Sequence, residues 1–216
     1  VVLVLGMFSG TAFSATQIEW WHAMGGALGE AVNTIVGGFN RSQTEYEMKA
    51  VYKGNYTETM TAAIAAFRAK KQPHVVQVFE VGTATMMAAK GAIYPVHQMM
   101  KDTGQPFDES RYISAVIGYY TTTDGKLLSL PFNSSTPVVF WNKAAFAKAG
   151  LDRAPKTWEE MGKFSKKLIS SGASECGFTI GWQSWSMLEN FSTWHDVAFA
   201  TKENGFAGLD TEFVFD

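Results

Sequence analysis

The sequence is poor in cysteine, since Cys176 is the only one among 216 residues. A single thiol cannot form an internal disulfide, and no zinc site can be built around it from clustered cysteines. Free cysteines are usually small buried residues, and we expect Cys176 to be one of them. A thiol beyond residue 216 is the alternative partner.

An excess of charge of one sign is also lacking. The chain has 18 Lys and Arg against 20 Asp and Glu, so its formal net charge is −2. Its longest cationic runs, RAKK at 68–71 and KK at 166–167, lie late in predicted helices, where they complement the helix dipole. Because there is no basic block, nucleic acid is not an expected partner.

Catalytic motifs are absent as well. The four histidines are scattered along the chain and form no metal-binding pair. There is no G-x-S-x-G elbow, no phosphate loop and no dinucleotide-binding loop, and the carboxylates form no evident acid–base couple. The sequence therefore predicts a protein that is not an enzyme and that has no catalytic residue, no metal and no cofactor.

Aromatic residues, in contrast, are plentiful. They make up 14% of a chain that is 46% hydrophobic and 18% charged, and they include seven Trp and seven Tyr. A soluble core of this size does not need seven Trp. Some of them should line a surface where flat apolar faces meet a partly polar ligand.

The first 15 residues, VVLVLGMFSGTAFSA, differ from the rest. An apolar run is followed by small residues that fit a cleavage site, which predicts that residues 1–14 are the remnant of a secretory signal peptide. The run is too short to span a bilayer. A first core strand is the alternative. With a signal peptide, the mature protein begins near Ala15 or Thr16 and works outside the cytoplasm.

The hydrophobic pattern predicts an α/β fold. Strands are expected over 16–24, 46–52 and 74–79, each followed by a helix with apolar residues at helical spacing. The order βαβαβα is typical of a parallel or mixed sheet covered by helices. The third of these helices is expected over 83–90.

The second half of the chain predicts further elements of both kinds. Strands are expected over 126–132, 137–142 and 176–181. Helices are expected over 143–150, which ends at a glycine, and from a capping box at Thr157 to about Ser170. A helical stretch is expected from about 186 to 199. The chain stops inside what looks like a structured element, and we expect it to be a fragment.

Three polar residues fall at predicted strand ends. Glu80 ends an apolar strand, Tyr56 follows another just before a helix, and Ser135 lies in the stretch FNSST between two prolines. In open α/β sheets, ligands bind at the carboxyl edge of the strands. Hydroxyls, amides and one carboxylate can hold a sugar or phosphate oxygens without an unpaired buried charge. The alternative is that these are ordinary loop residues.

Four tryptophans lie near the same predicted edge. Strand alternation sends Trp20 and Trp21 to opposite faces, so at most one of them should reach a ligand. Trp182 and Trp185 follow the strand that ends at Gly181. The glycine turns GGALGE (25–30) and VGTATMM (81–87) could offer backbone N–H groups to an anion, although glycine is also common there for packing alone.

From about residue 17 onward, several motifs carry a family resemblance. The signature consists of YKGNY (52–56), QVFEVGTATMM (77–87) and PFNSSTP (131–137), supported by GWQSW (181–185). Together they closely resemble the periplasmic sn-glycerol-3-phosphate-binding proteins of bacterial ABC transporters, a branch of the wider extracellular solute-binding family that includes maltose-binding proteins. The first motif begins WWH rather than the FWH typical of that branch.

The resemblance implies a two-lobed clamshell that closes on its ligand and delivers it to membrane permease subunits. It implies an N-terminal α/β lobe over 15–140 and the start of a second lobe over 141–216, because family members are about twice this length. Further ligand contacts, from a Ser, a Gly, a Tyr and an Arg, would come from the half that this chain lacks. With one wall of the cleft missing, the fragment alone should bind weakly or not at all.

The resemblance also implies the binding residues. By their motifs, Tyr56, Glu80 and Ser135 match ligand contacts of the family, and Trp182 and Trp185 match tryptophans that line its cleft. The expected function is therefore capture of sn-glycerol 3-phosphate, with glycerophosphodiesters as a wider range, by a periplasmic monomer. Two alternatives remain open: a maltose or oligosaccharide ligand, and a secreted glycerophosphodiester hydrolase.

Overall fold

A computed structural model describes residues 14–79, 82, 85, 91–122, 124–208 and 210–215. Nearly all of the predicted signal peptide, Glu80 and most of the predicted helix 83–90 lie outside the described residues. Among the residues that are described, no helix is both long enough and apolar enough to cross a membrane.

The chain divides into two compact units. The first contains the described residues up to Thr122 together with Lys126–Phe132, and the second contains the residues from Asn133 onward together with 124–125. The lobe boundary predicted between residues 140 and 141 stays a prediction.

The first unit is built on a parallel sheet of three strands. Its strands are β1 (Thr16–His22), β2 (Tyr46–Tyr52) and β3 (Val75–Val76), in the order β2-β1-β3. β1 pairs with β2 from Thr16 opposite Tyr46 to His22 opposite Tyr52, and its later residues pair with β3. The first two predicted strands are confirmed, and the third is shorter than predicted because only two of its residues pair with β1.

Helices follow the strands of the first unit. They are α1 (Gly26–Ser42), α2 (Tyr56–Arg68), α3 (Val96–Thr103) and α4 (Ser114–Tyr119), with a 3₁₀ turn at Glu109–Arg111. The helices predicted to follow β1 and β2 are therefore confirmed. In α1, Val32 and Val36 are four residues apart and both buried, so one stripe of the helix faces the sheet.

The core of the first unit forms where α1 meets β1. Its buried members are Trp20, Met24, Val32 and Val36, and partly buried residues pack around them, namely Met48, Ala50 and Tyr56. Trp20 also packs edge-on against Phe132, with ring centroids 5.0 Å apart.

The neighbouring tryptophan of β1 has different partners. Trp21 lies outside that cluster, and its Nε1 donates a hydrogen bond to Glu19 Oε1 at 2.6 Å. Residues two apart share a face of a strand, so Trp21 and Glu19 lie on the face opposite Trp20. Both tryptophans are only 8% exposed, which shows that β1 is covered on both sides.

The second unit is helical in the part that the structure describes. It contains α5 (Lys143–Lys148), α6 (Trp158–Ser170), a π-helical turn at Ser184–Glu189 and α7 (Asn190–Trp194), followed by a short turn at Thr201–Asn204. Its core joins α5 to α6 through the buried residues Phe146, Ala149, Leu151 and Leu168.

The predicted start of α6 is confirmed. The Thr157 hydroxyl accepts a hydrogen bond from the Glu160 N–H at 3.2 Å. The Glu160 carboxylate does not complete a capping box with Thr157. It instead accepts the Lys156 N–H at 2.7 Å and pairs with Arg153. The helix N-terminus is thus held by the side chains of two separate residues.

Three predicted strands are wrong. In 126–132, only Leu127 forms a bridge, to Thr121, and its carbonyl accepts the His97 N–H. Segments 137–142 and 176–181 contain no strand residue. Each has an apolar pattern, but a strand also needs a partner edge, and the described part of the second unit offers none to these segments.

The expected burial of Cys176 is also wrong. The residue is exposed, and its Sγ donates a hydrogen bond to the Phe178 carbonyl at 3.1 Å. The Ser174 hydroxyl donates to the Cys176 carbonyl at 2.7 Å. These local hydrogen bonds keep the segment in an exposed turn rather than in the core.

Candidate ligand-binding site

The carboxyl ends of β1 and β2 meet at one edge of the first unit. The strands end at His22 and Tyr52, which are opposite each other in register. Their rings lie 6.0 Å apart, and the Lys53 N–H extends the pairing by donating to the His22 carbonyl at 3.0 Å. This is the edge at which open α/β sheets bind ligands.

His22 is a buried polar residue of this edge, with 3% of its surface exposed. Its Nδ1 accepts the Met24 N–H at 3.3 Å, so in the neutral ring the proton lies on Nε2. Burial lowers the pKa of the imidazole below its usual 6.5. The residue therefore presents a neutral donor at neutral pH.

Gln77 ties the continuation of β3 to the end of β1. Its side-chain Oε1 accepts the Ala23 N–H at 3.0 Å, and its backbone N–H donates to the Trp21 carbonyl at 2.8 Å. The side chain is buried. The β1–α1 connection is thereby fixed in place at the edge.

Tyr56 is the first residue of α2, and the capping residues on either side of it determine where that helix begins. Asn55 caps the helix by accepting the Glu58 N–H at 3.0 Å, and the Glu58 carboxylate accepts the Asn55 N–H at 2.7 Å. This reciprocal capping box holds the start of α2. Tyr56 is half-buried, and its ring stacks on Phe79 with centroids 5.2 Å apart and planes at 11°.

The other predicted contacts of the signature lie elsewhere. Glu80 follows Phe79 directly but is outside the described residues. Ser135 is exposed and belongs to the second unit, in a stretch without regular secondary structure. Of the three residues, the structure therefore describes only Tyr56 at the sheet edge.

Trp182 and Trp185 form a pair in the second unit. Their ring centroids are 6.0 Å apart with planes at 70°, and Trp182 is 50% exposed. Trp182 has a backbone φ of 58°, a left-handed conformation that costs a bulky residue about 1–3 kcal/mol. It precedes the π-helical turn, and both kinds of irregularity are concentrated at functional sites.

Sequence reasoning missed three residues of the edge: His22, Gln77 and Phe79. His22 and Gln77 lie inside the strands predicted over 16–24 and 74–79, where each directly follows an apolar residue. A polar residue within an apolar run marks both positions, but residue type alone does not assign a role to either of them. Phe79 gave no signal of its own, because its role depends on the stacking partner.

A surface cavity of about 330 Å³ is lined by Gln17, Ile18, Glu19, Lys49, Val51 and His74. It includes none of the predicted binding residues. In the part of the chain that the structure describes, no three His, Cys, Asp or Glu side chains are grouped closely enough to hold a metal ion.

Comparison with known proteins places this chain in the class of solute-binding proteins. The sequence profile of bacterial extracellular solute-binding proteins matches residues 18–216, and the chain belongs to that family. MalE3 of T. maritima, solved with maltose bound, shares the fold with a TM-score of 0.56 over 73% of this chain and 39% of its own, at 18% identity.

Two relatives within the family are much more similar in sequence. One is the sn-glycerol-3-phosphate-binding periplasmic protein UgpB of Brucella abortus (strain 2308), 49% identical over 93% of this chain and 47% of the relative. Another is the protein of the same name from Yersinia pestis bv. Antiqua (strain Antiqua), 51% identical over 97% of this chain and 48% of the relative. The chain spans about half the length of these relatives.

Proposed function

We propose that this protein is the solute-binding component of an ABC importer. It captures sn-glycerol 3-phosphate, with glycerophosphodiesters as a wider ligand range, and delivers it to the membrane permease subunits. The observation that carries the proposal is the 49% identity, over 203 residues, to a periplasmic protein named for this ligand. In line with that relative, we place the protein in the periplasm, and we propose that it acts there as a monomer.

Tyr56 is the best supported contact of the proposed site. Its ring stacks on Phe79 and packs against the core of the first unit, which holds a flat aromatic residue at the start of α2, where it is suited to contact the carbon chain of a glycerol unit. Because a capping box fixes the start of α2, little ordering is needed when a ligand arrives.

Four further contacts to the ligand are proposed from the sequence motifs. Glu80 would accept hydrogen bonds from the glycerol hydroxyls, and Ser135 would donate to a ligand oxygen. Trp182 and Trp185 would pack against the C–H face of the ligand. The phosphate would be held largely by dipoles and by an arginine outside this chain.

The protein is proposed to bind its ligand without transforming it. Its family consists of solute-binding proteins, and its sequence contains no motif for diester hydrolysis. A sensitive assay for phosphate or glycerol released from glycerophosphocholine tests this point. Sustained release by the purified protein, abolished by a single substitution in it, would show that the protein is a hydrolase.

Isothermal titration of the full-length secreted protein with sn-glycerol 3-phosphate tests the main proposal. We expect heat of binding and a change in Trp fluorescence, and maltose should fail to compete. If there is neither heat nor a fluorescence change at millimolar ligand, the proposal is wrong. If maltose binds and displaces the phosphate ester, the oligosaccharide alternative is correct.

Substitutions at Tyr56 separate binding from folding. Tyr56→Phe keeps the ring stacked on Phe79 and removes one hydroxyl, so we expect affinity to fall about tenfold with little change in Tm. Tyr46→Phe, an exposed tyrosine at the other end of β2, is the matched control. Equal affinities for Tyr56→Phe and the wild type would exclude the phenol from the site.

A further inference from the structure

The π-helical turn at Ser184–Glu189 follows the tryptophan pair and is held by two polar side chains. In an α-helix the Trp185 carbonyl would accept the N–H four residues later. Here it accepts the Asn190 N–H, five residues later. The Asn190 side chain adds a second hydrogen bond to the same carbonyl, from Nδ2 at 2.6 Å. Asn190 thus stabilises the π-helical hydrogen-bonding pattern of the turn with two donors, its backbone N–H and its side-chain amide.

Ser186 holds the backbone at the amino-terminal end of the tryptophan pair. Its N–H donates to the Trp182 carbonyl at 2.8 Å, and its hydroxyl donates to the Gly181 carbonyl at 3.2 Å. These bonds hold the segment in which Trp182 adopts its left-handed backbone. Each tryptophan therefore has its own polar anchor.

The helix after the turn is anchored independently. Phe191 in α7 packs edge-on against Trp158 in α6, with ring centroids 5.3 Å apart. If the turn returned to an α-helical register, the anchored α7 would stay in place. The residues before the turn would then rotate by about 100°, which is the rotation of one helical residue. The part that would move is the one carrying Trp182 and Trp185.

We propose that Ser186 and Asn190 are positioning residues that hold Trp182 and Trp185 at a fixed angle as a platform for the ligand. The involvement of a ligand rests on the function proposed above. Two flat indoles at about 70° form a corner rather than a plane. Such a corner suits the short carbon chain of a phosphorylated polyol better than a sugar ring, which prefers a single stacking face.

Circular dichroism of the ligand-free, full-length protein tests the positioning role. Two indoles with centroids 6.0 Å apart give an exciton couplet whose sign and size depend on their mutual angle. We expect Asn190→Asp, which removes the amide donor at nearly constant size, and Ser186→Ala to reduce the couplet at least twofold. Ser192→Ala is the control, since its hydroxyl makes no hydrogen bond in the described part of the chain, and it should leave the couplet unchanged.

Asn190→Gln guards against a general loss of folding, because it retains an amide donor. We expect it to recover part of the couplet that Asn190→Asp loses, at a similar Tm. A couplet that is the same in Asn190→Asp, Ser186→Ala and the wild type overturns the inference. A couplet lost equally in Asn190→Gln and Asn190→Asp excludes the amide donor as the cause.

Titration with sn-glycerol 3-phosphate tests the ligand platform. We expect affinity to fall three- to tenfold in Asn190→Asp, about the effect of one hydrogen bond, and to be unchanged in Ser192→Ala. If the couplet is lost but the affinity is unchanged, Trp182 and Trp185 do not form a platform for the ligand. If the wild type binds no sn-glycerol 3-phosphate, the proposed function fails, whereas the couplet still decides whether Ser186 and Asn190 position the pair.

Discussion

Thr59 shows how much a single atom can matter in a small core. The residue is completely buried in α2, and its Oγ1 is the one buried side-chain polar atom without a hydrogen-bond partner in the described part of the chain. A buried hydroxyl that lost its hydration without gaining a partner costs folding free energy. Thr59 therefore lowers the stability of the first unit as it stands.

Thr59→Val replaces the hydroxyl by a methyl group of similar size. We expect the free energy of unfolding to rise by about 1 kcal/mol, because the two residues have similar helix propensities and the desolvation penalty disappears. Chemical denaturation monitored by circular dichroism measures it. Thr61→Val, at an exposed position of the same helix, is the control and should change little. A less stable Thr59→Val would reveal a hidden partner for the hydroxyl.

The residues of the candidate site differ in how visible they are in the sequence. Tyr56 could be found because it follows an alternating strand and opens a helix with the capping residues Asn55 and Glu58. His22 and Gln77 could not be identified by residue type, because a buried His or Gln is informative only once its hydrogen-bond partners are known. Those partners, Met24 and Ala23, lie in the β1–α1 connection.

At the scale of elements, Arg153 and Glu160 connect the α5–α6 loop to the first turn of α6. The guanidinium donates to both carboxylate oxygens at 2.7 Å, and the Lys156 N–H donates as well. The hydrogen bonds from Arg153, then that from Lys156, lower the pKa of Glu160 from 4.5 to about 2. The start of α6 therefore depends on an ionised carboxylate.

Acid should weaken this arrangement in a defined range. A carboxyl group whose pKa is lower in the folded state stabilises the fold fully above its unfolded pKa, and the contribution is lost as the pH falls toward the folded pKa. For Glu160 this range is from pH 4.5 to about 2. We expect Glu160→Gln to lower Tm at neutral pH and to lose less Tm than the wild type across that range.

Thermal melts at several pH values test the acid dependence. Glu175→Gln, at an exposed position of the same unit, is the matched control and should follow the wild type. Parallel Tm curves for Glu160→Gln and the wild type between pH 4.5 and 2 would contradict the role of the carboxylate.

The C-termini of α5 and α6 are capped by each other's lysines. Lys148, the last residue of α5, donates to the Gly172 carbonyl just after α6 at 2.9 Å. Lys167, in the last turn of α6, donates to the Gly150 carbonyl just after α5 at 3.0 Å. Each ammonium group thus lies at the negative end of the other helix dipole.

Exchanging either lysine for methionine should therefore weaken the pairing of the two helices. We expect Lys148→Met and Lys167→Met each to lower Tm by about 2 °C, an effect that shrinks in high salt. Lys166→Met, on the same helix and without a described hydrogen bond, is the control. If Tm falls equally in all three variants, the loss of charge rather than the capping is responsible.

The elements themselves were predictable where local chemistry decides. Strand 46–52 alternates, strand 16–22 is closely followed by a pair of glycines, α1 and α2 have helical spacing, and Thr157 starts α6. The failures have a different cause. Segment 137–142 has the composition of a strand, but pairing depends on a partner elsewhere, and the π register at Ser184–Glu189 depends on Asn190 reaching back to a carbonyl. Neither the missing strand partner nor the hydrogen bond from Asn190 can be read from a local sequence pattern.

At the scale of the whole molecule, the second unit exposes apolar side chains that its own core does not use. Val138, Val139 and Phe140 are 63%, 52% and 92% exposed, in one uninterrupted run. Contiguous apolar surface of this kind favours association with other apolar surfaces. The same β-branched and aromatic composition is what predicts a strand over 137–142.

Expressed alone, at about half the length of its relatives, the 216-residue chain should therefore self-associate through this run, in contrast to the full-length protein, for which we propose a monomer. We expect sedimentation velocity to show concentration-dependent oligomers, and Phe140→Ser to reduce them without lowering Tm, because the ring makes little contact. Leu28→Ser is the control, since Leu28 is 61% exposed on α1, outside the run. Oligomers that persist in Phe140→Ser would place the contact elsewhere.

The order of the three strands has a consequence for biosynthesis. β1 lies in the centre of the sheet, yet it is made first, before either of the strands that flank it. Until residues 46–52 and 75–76 have been added, a strand carrying two adjacent tryptophans has bare edges that can pair with another chain. A nascent or translocating chain is thus most prone to aggregate early, and that is when a holding chaperone should bind it.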